Sequence, residues 1–114
     1  MKGDSMKEID GGICAVRGVR AGGMKSGKMG IAVIIAEGTA AGVFTRNKVI
    51  AAPNIIARER LQKSGRLGAV IANSGNANAF TGDIGLADAK EMSHILSEET
   101  GIAEELIAVA STGV

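Results

Sequence analysis

Apolar residues in this chain fall into short blocks separated by glycine and polar clusters, and the blocks follow two different periods. Met29–Ala36, MGIAVIIA, is a continuous apolar run closed by Glu37-Gly38. Its length and β-branched content predict a strand buried on both faces. Ahead of it, Ile13, Ala15, Val16 and Val19, broken by glycine, predict a short bent strand over 11–20, and 22–30 reads as a glycine and lysine loop. After it, Gly38-Thr39 reads as a turn and Ala40–Thr45 as another strand, so a hairpin is expected there.

The period then becomes helical. Pro53-Asn54 opens a helix, since proline is tolerated in a first turn whose N–H groups have no partner. Ile55, Ile56 and Leu61 share one side, Arg58, Glu59, Arg60, Gln62 and Lys63 are expected to face mostly water, and Gly65 stops the helix. Ala69–Ala72 is the length and composition of a second buried strand. Asp83 is the expected N-cap of a second helix reaching Thr100, with Ile84, Ala87, Met92, Ile95 and Leu96 as its apolar stripe and Gly101 as its stop. A turn at Ala103–Glu105 leads to a last strand, Leu106–Ala110. The order β–β–β–α–β–α–β predicts an α/β fold, a mixed sheet with covering helices. Residues 11–114 would form this unit behind a polar leader at 1–10. Parallel pairing of the last two strands would bring Asn73 and Ser111 to one edge of the sheet, where open α/β sheets bind ligands.

Composition narrows the classes. A chain of 114 residues that is 46% apolar supports one domain or a piece of one. Its aromatic residues are Phe44 and Phe80 alone, so the stacking platforms of a single-strand nucleic-acid surface are missing. The net charge of +1 comes without a basic run. No apolar stretch approaches the ~20 residues of a membrane span, and no signal peptide is evident. Cys14 has no partner cysteine and is expected as a small core residue. A soluble cytoplasmic protein without nucleic-acid or membrane partners is the expectation.

Chemistry concentrates in two places. Asn73-Ser74-Gly75-Asn76-Ala77-Asn78 packs three amides, a hydroxyl and a glycine behind the strand at Ala69, which predicts a tight, self-bonded turn. Ser111-Thr112-Gly113 ends the last strand with a hydroxyl donor beside a glycine N–H, a combination suited to an oxyanion site or to an ordinary turn. Three other features lead nowhere. Gly22–Met29 has the spacing of a phosphate-binding loop, but Met29 stands where Ser or Thr should hold magnesium, and a strand follows instead of a helix. His94, the sole histidine, sits on a charged helix face with Lys90, Glu91 and Glu98, and Glu37 and Asp83 lack carboxylate partners.

Three motifs in order carry a resemblance. AAGVFTRN at Ala40–Asn47, AVIANSGNANAFTG at Ala69–Gly82 and ASTGV at Ala110–Val114 resemble the N-terminal part of the ornithine acetyltransferases, the glutamate N-acetyltransferases of arginine biosynthesis. The resemblance implies a four-layer α/β/β/α sandwich, of which this chain would supply part of one sheet. It implies transfer of an acetyl group from N2-acetyl-L-ornithine to L-glutamate through an acetyl-threonine intermediate. Thr112 and Gly113 match the family's Thr-Gly pair, whose threonine side chain and glycine N–H form the oxyanion hole. The nucleophile would be the N-terminal threonine of a second chain, freed when the precursor cuts itself at an Ala-Thr bond. No cofactor is implied, although bifunctional members also take acetyl-coenzyme A as acetyl donor. The implied partners are the remainder of the first chain, the self-cleaved second chain in a heterotetramer of two chain pairs, and small amino-acid substrates. The sequence contains no Ala-Thr pair and stops at Val114, where family members continue with Ile-Gly, so a first-chain fragment, inactive alone, is expected. Phe80 also departs from the small residue or cysteine of many relatives. The alternative is a non-catalytic small-ligand-binding or regulatory domain on the same scaffold, which an Ala-Thr cleavage segment beyond Val114 would exclude.

Overall fold

Two helices and four strands account for most of residues 6–114, which the computed structural model describes; residues 1–5 of the expected leader lie outside them. The elements are β1 (Arg20–Ser26), β2 (Met29–Thr39), α1 (Ala52–Ser64), β3 (Arg66–Gly75), α2 (Gly82–Thr100) and β4 (Ile107–Gly113), with single 3-10 turns at Gly12–Ala15 and Glu104–Leu106. The sheet runs β1-β2-β3-β4. β1–β2 and β2–β3 are antiparallel, whereas β3 and β4, joined through α2, are parallel. The mixed α/β class expected from the sequence is therefore correct.

Alternation along the strands sorts their residues between two faces. Ala69 and Ile71 of β3 and Ile107 and Val109 of β4 meet Ile56 of α1 and Ala89 and Leu96 of α2 in one core. Each large aliphatic side chain buried there contributes about 1.5–3 kcal/mol. Val33 and Ile35 of β2 extend this core, but β2 has no fully buried residue. The expectation of a strand covered on both faces fails because both helices lie on the same side of the sheet.

The N-terminal part differs most from expectation. The 22–30 segment is not a loop: it forms β1 and the hairpin into β2, pairing Ser26 with Met29 across a two-residue turn. Gly27 at φ +60 supplies the positive φ that such a turn requires. Residues 11–20 hold a 3-10 turn in place of a bent strand, and Cys14 is exposed rather than in the core. Gly38 and Thr39 belong to β2, beyond a bulge that inserts one extra residue opposite β3.

Ala40–Thr45 forms no strand. Both hydrogen-bonding edges of β2 are already occupied, by β1 and β3, so a hairpin partner there has nowhere to pair. The segment instead opens an excursion through α1 that returns to its start, where Ala40 N–H donates to Gly65 O at 2.9 Å. Phe44 lies 5.4 Å from the Arg58 guanidinium and helps hold the excursion against α1.

Gly65, at φ +64, ends α1 as expected and donates its N–H to Leu61 O. Arg60 departs from the expectation that it faces mostly water. Its side chain is only 13% exposed, donates to Ile107 O at 2.7 Å and lies 3.7 Å from Glu104. Burial lowers its pKa, and Glu104 is the largest influence opposing that shift. The N-cap position of helix α2 is Thr81, whose side chain makes no capping bond to the helix, and Asp83 lies in the first turn rather than at the cap. Its buried stripe is Gly85, Ala89, Ser93 and Leu96, while Ile84 and Ile95 are 76% and 50% exposed. Small residues one turn apart let the helix lie close to its neighbours, and that close approach outweighs the pull of the larger side chains.

Glu104 also accepts from His94, at 3.2 Å, and Glu98 lies 2.9 Å from the other ring nitrogen. The hydrogen bond to Glu104, then the charge of Glu98, raise the half-exposed imidazole above its usual pKa, with a smaller push from Glu91. A raised folded-state pKa stabilises the fold at pH values below the unfolded pKa of about 6.5, and the gain disappears as pH rises through the folded value. The chain should therefore exceed its His94→Gln variant in Tm at about pH 5.5, with the difference closing by about pH 8.5. A Tm difference that is flat across this range would show that the ion pairs add nothing.

Candidate functional site

The parallel pairing of β3 with β4 runs in register from Ala69↔Ile107 to Asn73↔Ser111, Ser74↔Thr112 and Gly75↔Gly113. The two strands thus end side by side, as expected if Asn73 and Ser111 were to share an edge. The edge is also where the Asn-rich turn begins. Asn73 Nδ2 donates to Asn76 O at 3.2 Å, Asn78 N–H to Asn76 Oδ1 at 3.2 Å, and Asn78 Nδ2 to Gly85 O at 2.9 Å. Thr81 Oγ1 donates to Asn78 Oδ1 at 2.5 Å, which ties the turn to the start of α2. Asn78 has φ +49, the left-handed conformation that asparagine tolerates. Gly85 carries no side chain because a Cβ there would collide with Thr81 Oγ1 and Asn78 Oδ1. The self-bonded turn read from the sequence is therefore present. Phe80 follows it at φ +59 and is 86% exposed.

Three hydroxyls stand at this edge, and two are engaged. Ser111 Oγ donates to Asn73 Oδ1 at 2.5 Å on the helix side of the sheet, and Ser74 Oγ donates to Lys28 O at 3.0 Å, linking β3 to the β1–β2 hairpin. Thr112 is exposed, and among the described residues no hydrogen bond occupies its hydroxyl. Strand alternation turns it away from the helices. There it lines a cleft of about 390 Å³ with Lys25, Gly30, Ala32, Ala72 and Ser74. Gly113 adopts φ +134, and a Cβ on it would lie 2.6 Å from Asn76 N. Only glycine fits that seat, so Gly113 approaches the turn backbone directly.

Thr112 and Gly113, singled out in the sequence, are consecutive residues at the end of β4; Thr112 lines the cleft and Gly113 lies against the Asn76 backbone. The structure does not unite them with His94, Glu37 or Asp83. No helix begins at Lys28, so the phosphate-loop spacing of Gly22–Met29 lacks its geometry. Lys25 and Ser74 were not foreseen in the cleft. The signal that could have found Lys25 is the turn geometry at Gly27-Lys28, because a two-residue hairpin fixes Lys25 opposite Gly30; Ser74 comes beside Gly30 through the separate β2–β3 register, which no local turn sets.

The comparisons with known proteins agree with one another. The model of the ArgJ family matches residues 15–114. A glutamate N-acetyltransferase from Methanosarcina mazei is 67% identical over 109 residues, covering 96% of this chain and 28% of that protein. The chain thus spans little more than a quarter of the length of such curated relatives. A crystal structure of the arginine biosynthesis bifunctional protein ArgJ from Bacillus halodurans superposes with a TM-score of 0.81 at 39% identity, over 88% of this chain and 56% of that one. An ornithine acetyltransferase from Mycobacterium tuberculosis, solved in complex with ornithine, gives a TM-score of 0.75 at 41% identity, over 86% of this chain and 57% of that one.

The seat of Gly113 makes a direct forecast. Gly113→Ala must either move the Asn76 backbone or leave the positive-φ region, at a cost of roughly 1–3 kcal/mol. Urea denaturation of this chain should register that loss as a lower midpoint with an unchanged slope. An unaltered midpoint would mean that the edge is slack.

Proposed function

The chain belongs to the ArgJ family, and on that premise we propose that it is the N-terminal part of an acyltransferase that moves an acetyl group from N2-acetyl-L-ornithine to L-glutamate. Support for the substrate class comes from the names of the relatives and from the ornithine bound in one of them. The observation that carries the role of this segment is the Thr112 hydroxyl, the one of three at the β3–β4 edge that has no hydrogen-bond partner among the described residues.

In the proposed reaction the N-terminal threonine of the self-cleaved second chain attacks the acetyl carbonyl, and its hydroxyl proton passes to its own α-amino group. The carbonyl π electrons move onto oxygen, and the resulting oxyanion is met by the Thr112 hydroxyl and the Gly113 N–H. Collapse of the intermediate expels the α-amine of ornithine, which leaves with the proton. The amine of glutamate then attacks the acetyl-threonine and reverses the sequence. The route calls for no cofactor, and acetyl-coenzyme A would enter, where a member accepts it, as an alternative acyl donor to the same threonine. The remainder of the first chain and the second chain complete the site, two such pairs forming a heterotetramer. The 114-residue chain, which lacks the Ala-Thr pair of the cleavage site, transfers no acetyl group by itself.

An oxyanion donor acts in the transition state and little in the ground state. In the full-length, self-cleaved enzyme Thr112→Ala should lower kcat by about 10²–10³ while KM moves far less. Thr112→Ser keeps the donor and should keep most of the rate. Cleavage is scored on a gel first, because an uncleaved variant has no nucleophile and imitates the loss. A fully cleaved Thr112→Ala enzyme with wild-type kcat would leave Ser111-Thr112-Gly113 as a turn and nothing more. The isolated 114-residue chain, assayed with acetylornithine and glutamate, should show no turnover.

A further inference from the structure

Among the described residues β4 pairs with β3 alone, so its last residues are fixed by one ladder and by the side-chain bonds beside it. An oxyanion site draws its value from donors already aimed before charge develops. Those donors have to be held still. The Asn73 side chain is the group placed to do so. Its Oδ1 accepts from Ser111 Oγ at 2.5 Å, one residue before Thr112, and its Nδ2 donates to Asn76 O at 3.2 Å. Asn76 is the residue against whose N–H Gly113 is seated. The Asn76 carbonyl can only accept, which fixes the orientation of the amide and leaves Oδ1 for the Ser111 hydroxyl.

Resting on the oxyanion role of Thr112 and Gly113, we infer that Asn73 is a positioning residue: its amide joins β4 just before Thr112 to the turn that seats Gly113, fixing both oxyanion donors at once. The geometry explains why an amide stands here. Aspartate would keep the acceptor for Ser111 and lose the donor for Asn76, and an aliphatic residue would lose both. It also separates the work of the two faces. Asn73 and Ser111 meet on the helix side, where a small pocket brings them near Asp88 and Met92 of α2, and Thr112 opens onto the opposite side. Asn73 thereby acts on the reacting oxygen through the β4 backbone. Ala77 N–H, 3.4 Å from Val114 O, continues the same connection past Gly113.

The test is a double-mutant cycle in the full-length, self-cleaved enzyme, with Tm recorded for every variant. Asn73→Ala should lower kcat about tenfold and shift KM less than about twofold, the loss of aim costing rate rather than substrate binding. In the Thr112→Ala background the same substitution should cost less than about threefold, because one of the donors it aims is gone. Ser111→Ala should show the same coupling, and Ser111→Thr, which keeps the hydroxyl, should restore most of the rate. This second pair of variants decides the matter if Asn73→Ala does not fold. Were Asn73→Ala to cost the same factor with and without the Thr112 side chain, or to raise KM and spare kcat, the positioning role would be overturned while the oxyanion reading stood. An unchanged kcat in Thr112→Ala alone would overturn both.

Discussion

The parallel pairing of β3 with β4 is the constraint on which the rest depends. Parallel strands require a crossover, and α2 supplies it, packing its small-residue stripe of Gly85, Ala89 and Ser93 close to the core. Because side chains alternate, a slip of one residue would exchange the faces of every residue in β4. Ile107 and Val109 would leave the core, and Thr112 would turn towards α2. The register is therefore defended by burial at the beginning of the strand, where Ile107 is fully buried and its carbonyl accepts from Arg60. Specificity at the open end is inherited from packing at the closed end.

Alternation also divides the labour at the edge. Two consecutive residues, Ser111 and Thr112, carry hydroxyls into opposite environments, one bonded to Asn73 and the other open to the cleft. The same holds in β3, where Asn73 faces Ser111 and Ser74 secures the hairpin. A strand end is well suited to this arrangement. Its last residues are still fixed by the ladder, yet they have left the covering helices and can meet a ligand. That the sheet face beneath Thr112 is lined by Gly30, Ala32 and Ala72 keeps bulk away from the cleft.

Much of this was legible in the sequence because it depends on local chemistry. The Asn-Gly turn, the stop at Gly65 and the stop at Gly101 follow from the conformations that glycine and asparagine permit, and each sits at a positive φ or a bonded turn. That Thr112 and Gly113 close the last strand could be read from the strand pattern, and the turn around Asn73 from its amides. What was not legible depends on who pairs with whom. β1, rich in glycine, has little strand preference of its own and exists because β2 offers it an edge; with that edge taken, the more strand-like Ala40–Thr45 is left without a partner. Of the stripe expected for α2, Leu96 and Met92 do pack on the core, whereas Ile84 and Ile95 were misplaced for a related reason. Hydrophobicity favours Ile84 and Ile95, but distance of approach is decided by Gly85 and Ala89, and a helical wheel does not weigh backbone proximity. Arg60 was read as solvated because its two partners, the Ile107 carbonyl and Glu104, are more than forty residues away in sequence.

The conformations at the edge are individually unfavourable. A non-glycine residue at positive φ costs of the order of 1 kcal/mol or more, and both Asn78 and Phe80 adopt one within three positions. Such residues persist where surrounding bonds over-determine them, and for Asn78 the bonds run to Asn76, Gly85 and Thr81, beside those from Asn73 to Asn76 and Ser111. The cost is met once, when the segment folds, rather than each time a substrate arrives. Donors that are ordered in advance need no reorganisation as charge forms on a reacting oxygen, which is the condition under which a hydroxyl and a backbone N–H contribute most. A turn with so many internal bonds is more than a connection between β3 and α2 requires. Its geometry makes sense as the support of the neighbouring strand end, with Gly113 resting against it and Thr112 carried just ahead.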